Sequence, residues 1–373
     1  MKHFLRTTGL AIAATLAASA VDARDLRIAP AAPPPHPANG VMYVNFAKYI
    51  EEESGGDLTA TILGPEVVSL LQMKDALQSQ VAEVGNLLPL YFPADLPMMS
   101  VTGQVSLTSQ NPHAMGAAVT EFIVNCAPCQ EEMKALGFVY LGSGASDLYE
   151  FITTKPVRTA ADLEGLRLRS GGAPWGRLAE NFGAVPVQMS VFDQFEAMNS
   201  GTIDGTMASV GDLLAFRLVE VATHITKVPL GGYISTSNFT VSNNTWSGLS
   251  KDERDAMVRA ANRANADFTN RWGYEIPDIA EAAARDAGIE FIEPDPALVS
   301  AVAEFIEADI ETAGTFSVDQ FGIADAPDQI ADFLALVDKW EAIAEEVNDD
   351  PAAMTARVFE EVWSKVDTST YGG

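Results

Sequence analysis

GLRLRSGGAPWGRLAENFGAVPV, Gly165 to Val187, is the stretch on which the reading of this chain turns. Leu166 and Leu168 alternate with Arg167 and Arg169, the period-two pattern of a half-buried strand. Ser170-Gly171-Gly172 then interrupts it. Pro174 suits a first helical position, "APWGRLAENF" reads as a helix, and Gly183 is placed to cap its C-terminus. "AVPVQM" begins the next strand. The stretch is therefore a β-α-β unit, which predicts two parallel strands joined by a crossover helix. Ligands of open α/β sheets bind beyond the carboxyl ends of strands, and the first strand delivers Arg169 to such an end. The bare amides of "SGGA" and the helix N-terminus behind them favour an anion. The guanidinium adds a planar fork for a carboxylate or sulfonate. The stretch reads as a carboxylate clamp; the alternative is an exposed arginine before an ordinary strand–helix turn. Arg167, one step back, reads as solvated or paired with an acidic neighbour.

The same grammar extends outward. Upstream, "LRIA" (Leu26 to Ala29) is a strand, the Pro-rich "PAAPPPHPANG" a turn, and Val41 to Glu53 an amphipathic helix. Leu58 to Leu63 follows as a strand, Glu66 to Ser79 as a helix, and Val81 to Leu87 as a strand. Downstream, "VFDQFEAMNS" is a helix stopped by Gly201, and "TIDGTM" starts a strand. Asp204 within it reads as a strand-terminal structural carboxylate. Two successive β-α-β-α-β patterns predict two α/β domains with parallel sheets. Phe151 to Val157 and Gly231 to Asn243 are strand-like and lie where the chain would cross between domains. "SKDE", Ser250 to Glu253, is a capping box. It opens a helix with an apolar stripe of Met257, Ala261, Ala264, Phe268 and Trp272, running to Pro277 or kinking there. At ~1.5 Å per residue it reaches about 35–40 Å, enough to brace two lobes. The C-terminal third reads as acidic packing helices.

The chain opens with Lys2, His3 and Arg6 before the apolar run Gly9 to Ala20. Ala18-Ser19-Ala20 or Val21-Asp22-Ala23 serves as a cleavage tripeptide. This reads as a signal peptide, too short for a comfortable membrane span, with a periplasmic, exported product. Its removal takes Lys2, Arg6 and Asp22 from 23 basic and 51 acidic residues, leaving 21 against 50, a net charge of −29. Such a surface repels nucleic acid and anionic lipid. A 47% hydrophobic content excludes wholesale disorder, and residues 24–373 exceed one comfortable core. Cys126 and Cys129 are the two cysteines. In an oxidising compartment a disulfide is the default; a redox-active pair and a metal site are the alternatives, though zinc would need two more ligands and the histidines are scattered.

"KPVRTAADLEGLRLRS" followed by "FGAVPVQM", "FEAMNSGTIDG" and "VEVATHIT" resembles the solute receptors of tripartite ATP-independent periplasmic (TRAP) transporters, dicarboxylate-receptor type. Typical members carry K-P-I, D-L-K-G-L-K-I-R, L-G-A-x-P-V-x-M and Y-x-A-L-Q-x-G-x-V-D-G in this order. The match is close from Lys155 to Thr226. The resemblance implies a two-lobed periplasmic solute-binding fold with parallel-rich sheets flanked by helices and a long helix bracing both lobes. It implies no cofactor, a small organic acid bound in the cleft, and membrane transporter subunits as partners. Residues 24–148 plus about 234–275 would form the first lobe, and about 149–233 plus 276–373 the second; a monomer is the default. The family's ligand-carboxylate arginine falls on Arg169.

This sequence also departs from the family. A second family arginine falls on Tyr149, and the common asparagine after D-G-x-x falls on Ala208. Val191 replaces an aromatic, with Phe192 one position later. The pocket therefore suits a monocarboxylate with an apolar or aromatic body. Tyr149, Trp175, Met189, Phe192 and Met207 are candidates for its wall, each with a core-packing alternative. Asn86 at a strand end, His36 in the Pro-rich loop, and Tyr233 after two glycines that permit close ligand approach complete the set. A receptor for an ATP-driven importer would share export and two lobes, but the Val157 to Ser170 block favours the TRAP type. An exported enzyme would need a nucleophile elbow, a zinc-protease motif or a supported His–Cys pair, and none is present.

Overall fold

A computed structural model describes residues 23–373; the stretch read as a signal peptide lies, but for residue 23, outside the described residues. Two mixed sheets, each covered by helices, form the body of the molecule. The first has the order Leu58–Ile62, Arg24–Ala29, Val84–Leu87, Ser237–Ser242, Phe138–Tyr140. The second has the order Glu290–Ile292, His224–Thr226, Glu150–Thr153, Gly205–Ala208, Arg167–Ser170, Val185–Gln188. Each keeps a parallel core of the expected kind: Arg24–Ala29 pairs in parallel with both neighbours, and so does Arg167–Ser170. The antiparallel members, Ser237–Ser242 and Glu150–Thr153, are strands by which the chain enters a sheet after leaving the other.

The crossings differ in place from the sequence reading. Phe151 to Thr153 belongs to the second sheet. The passage between lobes lies just upstream, in Gly144–Leu148, which pairs antiparallel with the returning Gly232–Ser235. The expected return from Gly231 to Asn243 is thus two strands, one in this ribbon and one in the first sheet. Gly231 has φ +68°, and a Cβ there would lie 2.3 Å from Leu107 Cα. The Gly231-Gly232 pair therefore admits neighbouring backbone, not a ligand.

Glu66 to Ser79 is not one helix. Ser69 is extended and caps a short turn, Leu70–Gln72, before the helix Met73–Gln78. The side chain of Ser69 offers the backbone a local partner outside helical geometry and delays the start.

The long helix begins as read, with Ser250 and Glu253 reciprocally capped. It runs from Lys251 to Asn270, passes through a wider π-turn at Arg271–Glu275, and continues as Ile276–Asp286. Pro277 has no N–H for the carbonyl four residues back, and widening the turn by one residue accommodates its ring. The first part packs on the helix Val44–Glu53 of the first lobe, the last part beside Asp212–Ala215 of the second.

The C-terminal helices divide between the lobes. Pro296–Phe321 contacts the second lobe through the part-buried Arg177–Asp309 pair, with N–O distances of 2.7 and 2.8 Å. Ala326–Glu346 instead packs on Pro112–Asn125 of the first lobe, where Lys339 and Trp340 meet Glu121. The chain end closes on the same lobe, Tyr371 Oη donating to the Tyr140 carbonyl at 3.0 Å. Apolar faces, not sequence adjacency, settle where such helices dock. No helix among the described residues is long and apolar enough to cross a membrane.

Candidate ligand-binding site

Between the lobes lies a cavity, in the place where small-molecule sites preferentially form, an interface between two domains. The first lobe contributes Ala31, Ala32, His36, Asn86 and Tyr91. The crossing ribbon and the residue after it supply Tyr233, Ser235 and Tyr149. The second lobe supplies Arg169, Val191, Phe192, Asp212 and Phe216, and the long helix closes the rear with Phe268 and Trp272.

Arg169 decides the character of this space. It is 2% exposed. Its Nε donates to the Met189 carbonyl at 3.3 Å and one terminal nitrogen, Nη2, to Tyr91 Oη at 3.4 Å. The other terminal nitrogen, Nη1, is buried without a partner. Three more buried polar atoms of residues lining the same cavity lack partners, Asn86 Oδ1, Tyr233 Oη and Trp272 Nε1. Native interiors seldom leave such groups unmet, and four at one cavity mark a place built for something polar. Burial pushes the Tyr149 and Tyr233 phenols well above their ordinary range, so both are neutral donors at physiological pH. His36 stands edge-on to Trp272 at 5.1 Å. Its Nδ1 accepts from Ala38 N–H at 3.1 Å, which places the proton of the neutral ring on Nε2. Burial lowers its pKa to about 4, so the ring is uncharged.

Of the residues read from sequence, Arg169, Tyr149, Asn86, Phe192, Tyr233 and His36 are brought together here. Three are not on the wall. Trp175 lies behind it, its ring 4.8 Å from Tyr149 and 6.0 Å from Tyr233, its indole N–H donating to Leu230 O. It holds the two tyrosines in place. Met207 is in the core: its strand is the middle of the second sheet and is flanked on both edges. Met189 serves through its carbonyl, and its side chain packs with the core of the second lobe. The "SGGA" turn does not line the cavity either. Gly171 faces a neighbouring shallow depression, and its missing side chain leaves room for the Arg169 guanidinium, 3.4 Å from where a Cβ would stand. Ala208, at the family's asparagine position, is buried away from the cavity.

Sequence reasoning missed Asp212, Tyr91 and Phe216, which come from the segments that follow the strands Gly205–Ala208 and Val84–Leu87. Asp212 in "SVGDLL" carried a signal, an acidic residue soon after the "TIDGTM" strand. Trp272 and Phe268 were visible as a helical stripe, but which of its residues would face a cavity was not.

Arg167 is in the opposite situation to Arg169. Its Nε and Nη2 form a fork on Asp204 at 2.9 and 3.2 Å, with Lys155 Nζ on the same carboxylate at 2.8 Å. This is the acidic pairing anticipated, and Asp204 is the structural carboxylate. Cys126 and Cys129 form a disulfide at the start of the helix Ala127–Leu136. No cluster of histidine, cysteine, aspartate or glutamate among the described residues is arranged to hold a metal.

The sequence profile of the bacterial extracellular solute-binding proteins, family 7, matches residues 28–313. An uncharacterised protein of Salmonella typhimurium, YiiZ, is 24% identical over 315 residues, 78% of this chain and 88% of its own. Solved structures are similar as well. A TRAP solute-binding protein from Rhodoferax ferrireducens with copurified benzoate superposes with TM-score 0.76 at 18% identity, over 86% of this chain and 99% of that one. One from Bordetella bronchiseptica with bound mandelate gives 0.69 at 23%, over 84% and 99%. A marine metagenome protein with 3-hydroxybenzoate gives 0.76 at 18%, over 85% and 99%.

Proposed function

The chain belongs to the family 7 bacterial extracellular solute-binding proteins, the receptors of TRAP transporters, and from that premise we propose that it captures a small monocarboxylic acid with an apolar or aromatic body. The acid would be held in the interlobe cavity and handed to membrane transporter subunits outside the cytoplasm. The observation that carries this reading is Arg169, a buried guanidinium that lines an aromatic-walled cavity and has one terminal nitrogen without a partner.

A buried cation without an ion-pair partner is costly, and a ligand carboxylate is the complement that removes the cost. Tyr91, Tyr149 and Tyr233 bring phenol hydroxyls around it, and no second cationic side chain lines the cavity. One carboxylate is therefore accommodated and a second is not. Phe216, Phe268 and Trp272 offer ring faces and edges to the body of the ligand. The names of similar receptors, with benzoate, mandelate and 3-hydroxybenzoate bound, agree with such an acid.

In operation, the acid would dock on Arg169 in the second lobe and meet Asn86 and His36 from the first. Contacts to both lobes favour the closed over the open arrangement, so binding shifts that equilibrium. Closure excludes water and strengthens the charge pair. The Gly144–Leu148 and Gly232–Ser235 ribbon and the long helix are the elements that span the two lobes and must flex.

The test is a thermal-shift screen of the mature protein against aromatic and aliphatic monocarboxylates, 2-oxo acids, dicarboxylates and sulfonates, repeated with Arg169→Ala. A ligand that binds only the folded state raises the melting temperature. The expected result is a strong shift with a monocarboxylate class, lost in the variant. A shift with dicarboxylates alone, or one insensitive to Arg169→Ala, would overturn the proposal.

A further inference from the structure

The cavity holds a second charge that the receptor reading leaves unused. Asp212 is 3% exposed and lines the same wall as Arg169. It opens the short helix Asp212–Ala215 just after the strand Gly205–Ala208, next to the strand that carries Arg169. One of its oxygens, Oδ2, accepts from Gln194 Nε2 at 3.2 Å; Gln194 is in turn fixed by Thr206, which donates to Oε1 at 3.2 Å. Asp212 and Arg169 do not hydrogen-bond to each other. The cavity therefore presents one cation and one carboxylate, separately, to whatever occupies it.

This arrangement restricts the ligand more than the arginine does alone. An acid with a bare hydrocarbon body would neutralise Arg169 and leave the buried Asp212 with a single side-chain donor and no counter-ion. A buried carboxylate short of donors is strongly disfavoured. A second ligand carboxylate would be repelled by Asp212. A hydroxyl or N–H on the ligand body would satisfy it.

Resting on the organic-acid reading above, we propose that Asp212 is a specificity-determining residue: the acid seated on Arg169 carries a second group, hydroxyl or N–H, that donates a hydrogen bond to the Asp212 carboxylate. The preferred class is then the donor-bearing monocarboxylates, such as hydroxy acids and lactam acids, over unsubstituted acids and dicarboxylates. The charged and titratable groups that face Asp212 are Arg169, Asp147 and Tyr149. Burial raises the Asp147 carboxyl well above its ordinary value, with Ser209 opposing, and the Tyr149 phenol is neutral. Burial raises Asp212 itself to about 6, with Gln194 and Arg169 opposing, so that it is an ionised acceptor above neutrality.

The experiment is isothermal titration calorimetry above neutral pH with matched probes: benzoate against 3-hydroxybenzoate, phenylacetate against mandelate, and N-methylpyroglutamate against pyroglutamate. Each is measured on the wild type, Asp212→Asn and Arg169→Ala, with melting curves to establish that the variants fold. The wild type should prefer the donor-bearing member of the pair it binds by about tenfold or more, the effect of leaving a buried acceptor unmet. Asp212→Asn should reduce that preference to about threefold or less, mainly by improving the donor-free member. In two buffers of different ionisation enthalpy, the donor-free acid should take up close to one proton on binding, as Asp212 neutralises, and the donor-bearing acid should not. Arg169-dependent binding without preference, or a preference untouched in Asp212→Asn, would overturn the role of Asp212 alone. Failure of every acid to bind, or binding indifferent to Arg169→Ala, would overturn the receptor reading beneath it.

Discussion

Arg167 and Arg169 stand two residues apart on one strand, and the second lobe treats them in opposite ways. Arg167 is half exposed, and Asp204 meets it with a bidentate fork. Arg169 is buried, with no carboxylate in hydrogen-bond contact and one nitrogen unmet. The first arrangement is complete and contributes to stability. The second is incomplete within the protein itself. An arginine that already has its carboxylate holds a fold together, whereas one that lacks it is available for recognition. Arg177 marks a third case, part-buried and paired like Arg167, with Asp309 and Gln104 taking four of its hydrogen bonds.

This comparison can be broken by experiment. Arg169→Ala should weaken a responsive acid by about 30-fold to several thousand-fold, the roughly 2–5 kcal/mol of truncating one partner of a buried charge pair. Calorimetry would check it; an unchanged affinity would make Arg169 another structural arginine. Arg177→Ala should act on folding, destabilising by about 3–5 kcal/mol because Asp309 is left buried and uncompensated. Urea melts of the ligand-free protein would measure this, and a loss below about 1 kcal/mol would show the pair to be dispensable.

Asp204→Asn should give a smaller, pH-dependent loss. The hydrogen bond from Arg167, with Lys155 adding to it, holds the Asp204 carboxyl well below its ordinary value against the effect of burial. A depressed folded-state pKa stabilises above the unfolded value and is lost as pH falls through the folded one. The variant should therefore be less stable by about 1–2 kcal/mol near neutrality, a figure reduced by the solvent around its basic partners. The two proteins should converge in strong acid; parallel melting-temperature curves down to about pH 3 would contradict this.

Glu150→Gln should do the reverse and by least. Glu150 is raised to about 7, by burial first, with Lys227 opposing and Glu281 adding to it, and its Oε2 has no partner. Its folded value lies above its unfolded one, so wild-type stability falls as pH rises from about 4.5 to 7. The glutamine variant should melt higher at about pH 8 and gain nothing at about pH 4. A variant that melts lower at both would show that the carboxylate itself is needed.

Much of this was legible along the chain. The β-α-β grammar, the capped long helix, the disulfide pair and the residue that dominates the cavity all rest on local patterns. Each is dictated by a residue's immediate neighbours: alternation for a strand, Ser250 and Glu253 for a cap, a strand end for Arg169. The family motifs carried the same information, since they are those local patterns at fixed spacing. The errors share a cause too. Trp175, Met189 and Met207 have residue types that suit a wall, yet which way a side chain of a helix, a strand or the turn after it faces is not readable in sequence until a neighbouring element covers one side.

By itself, the sequence determined the two-lobed α/β architecture, the acidic surface, the paired cysteines and Arg169 at a strand's carboxyl end. Only the tertiary structure decided which lobe the C-terminal helices join, that Asp204 claims Arg167 and leaves Arg169 free, and that Asp212 shares the cavity with it. The reason is physical. Secondary structure and caps depend on hydrogen bonds a few residues apart. A charge pair, an unmet donor or a cavity wall depends on which distant segments come within about 3–4 Å of each other, and that is settled when the apolar faces of both lobes are buried together.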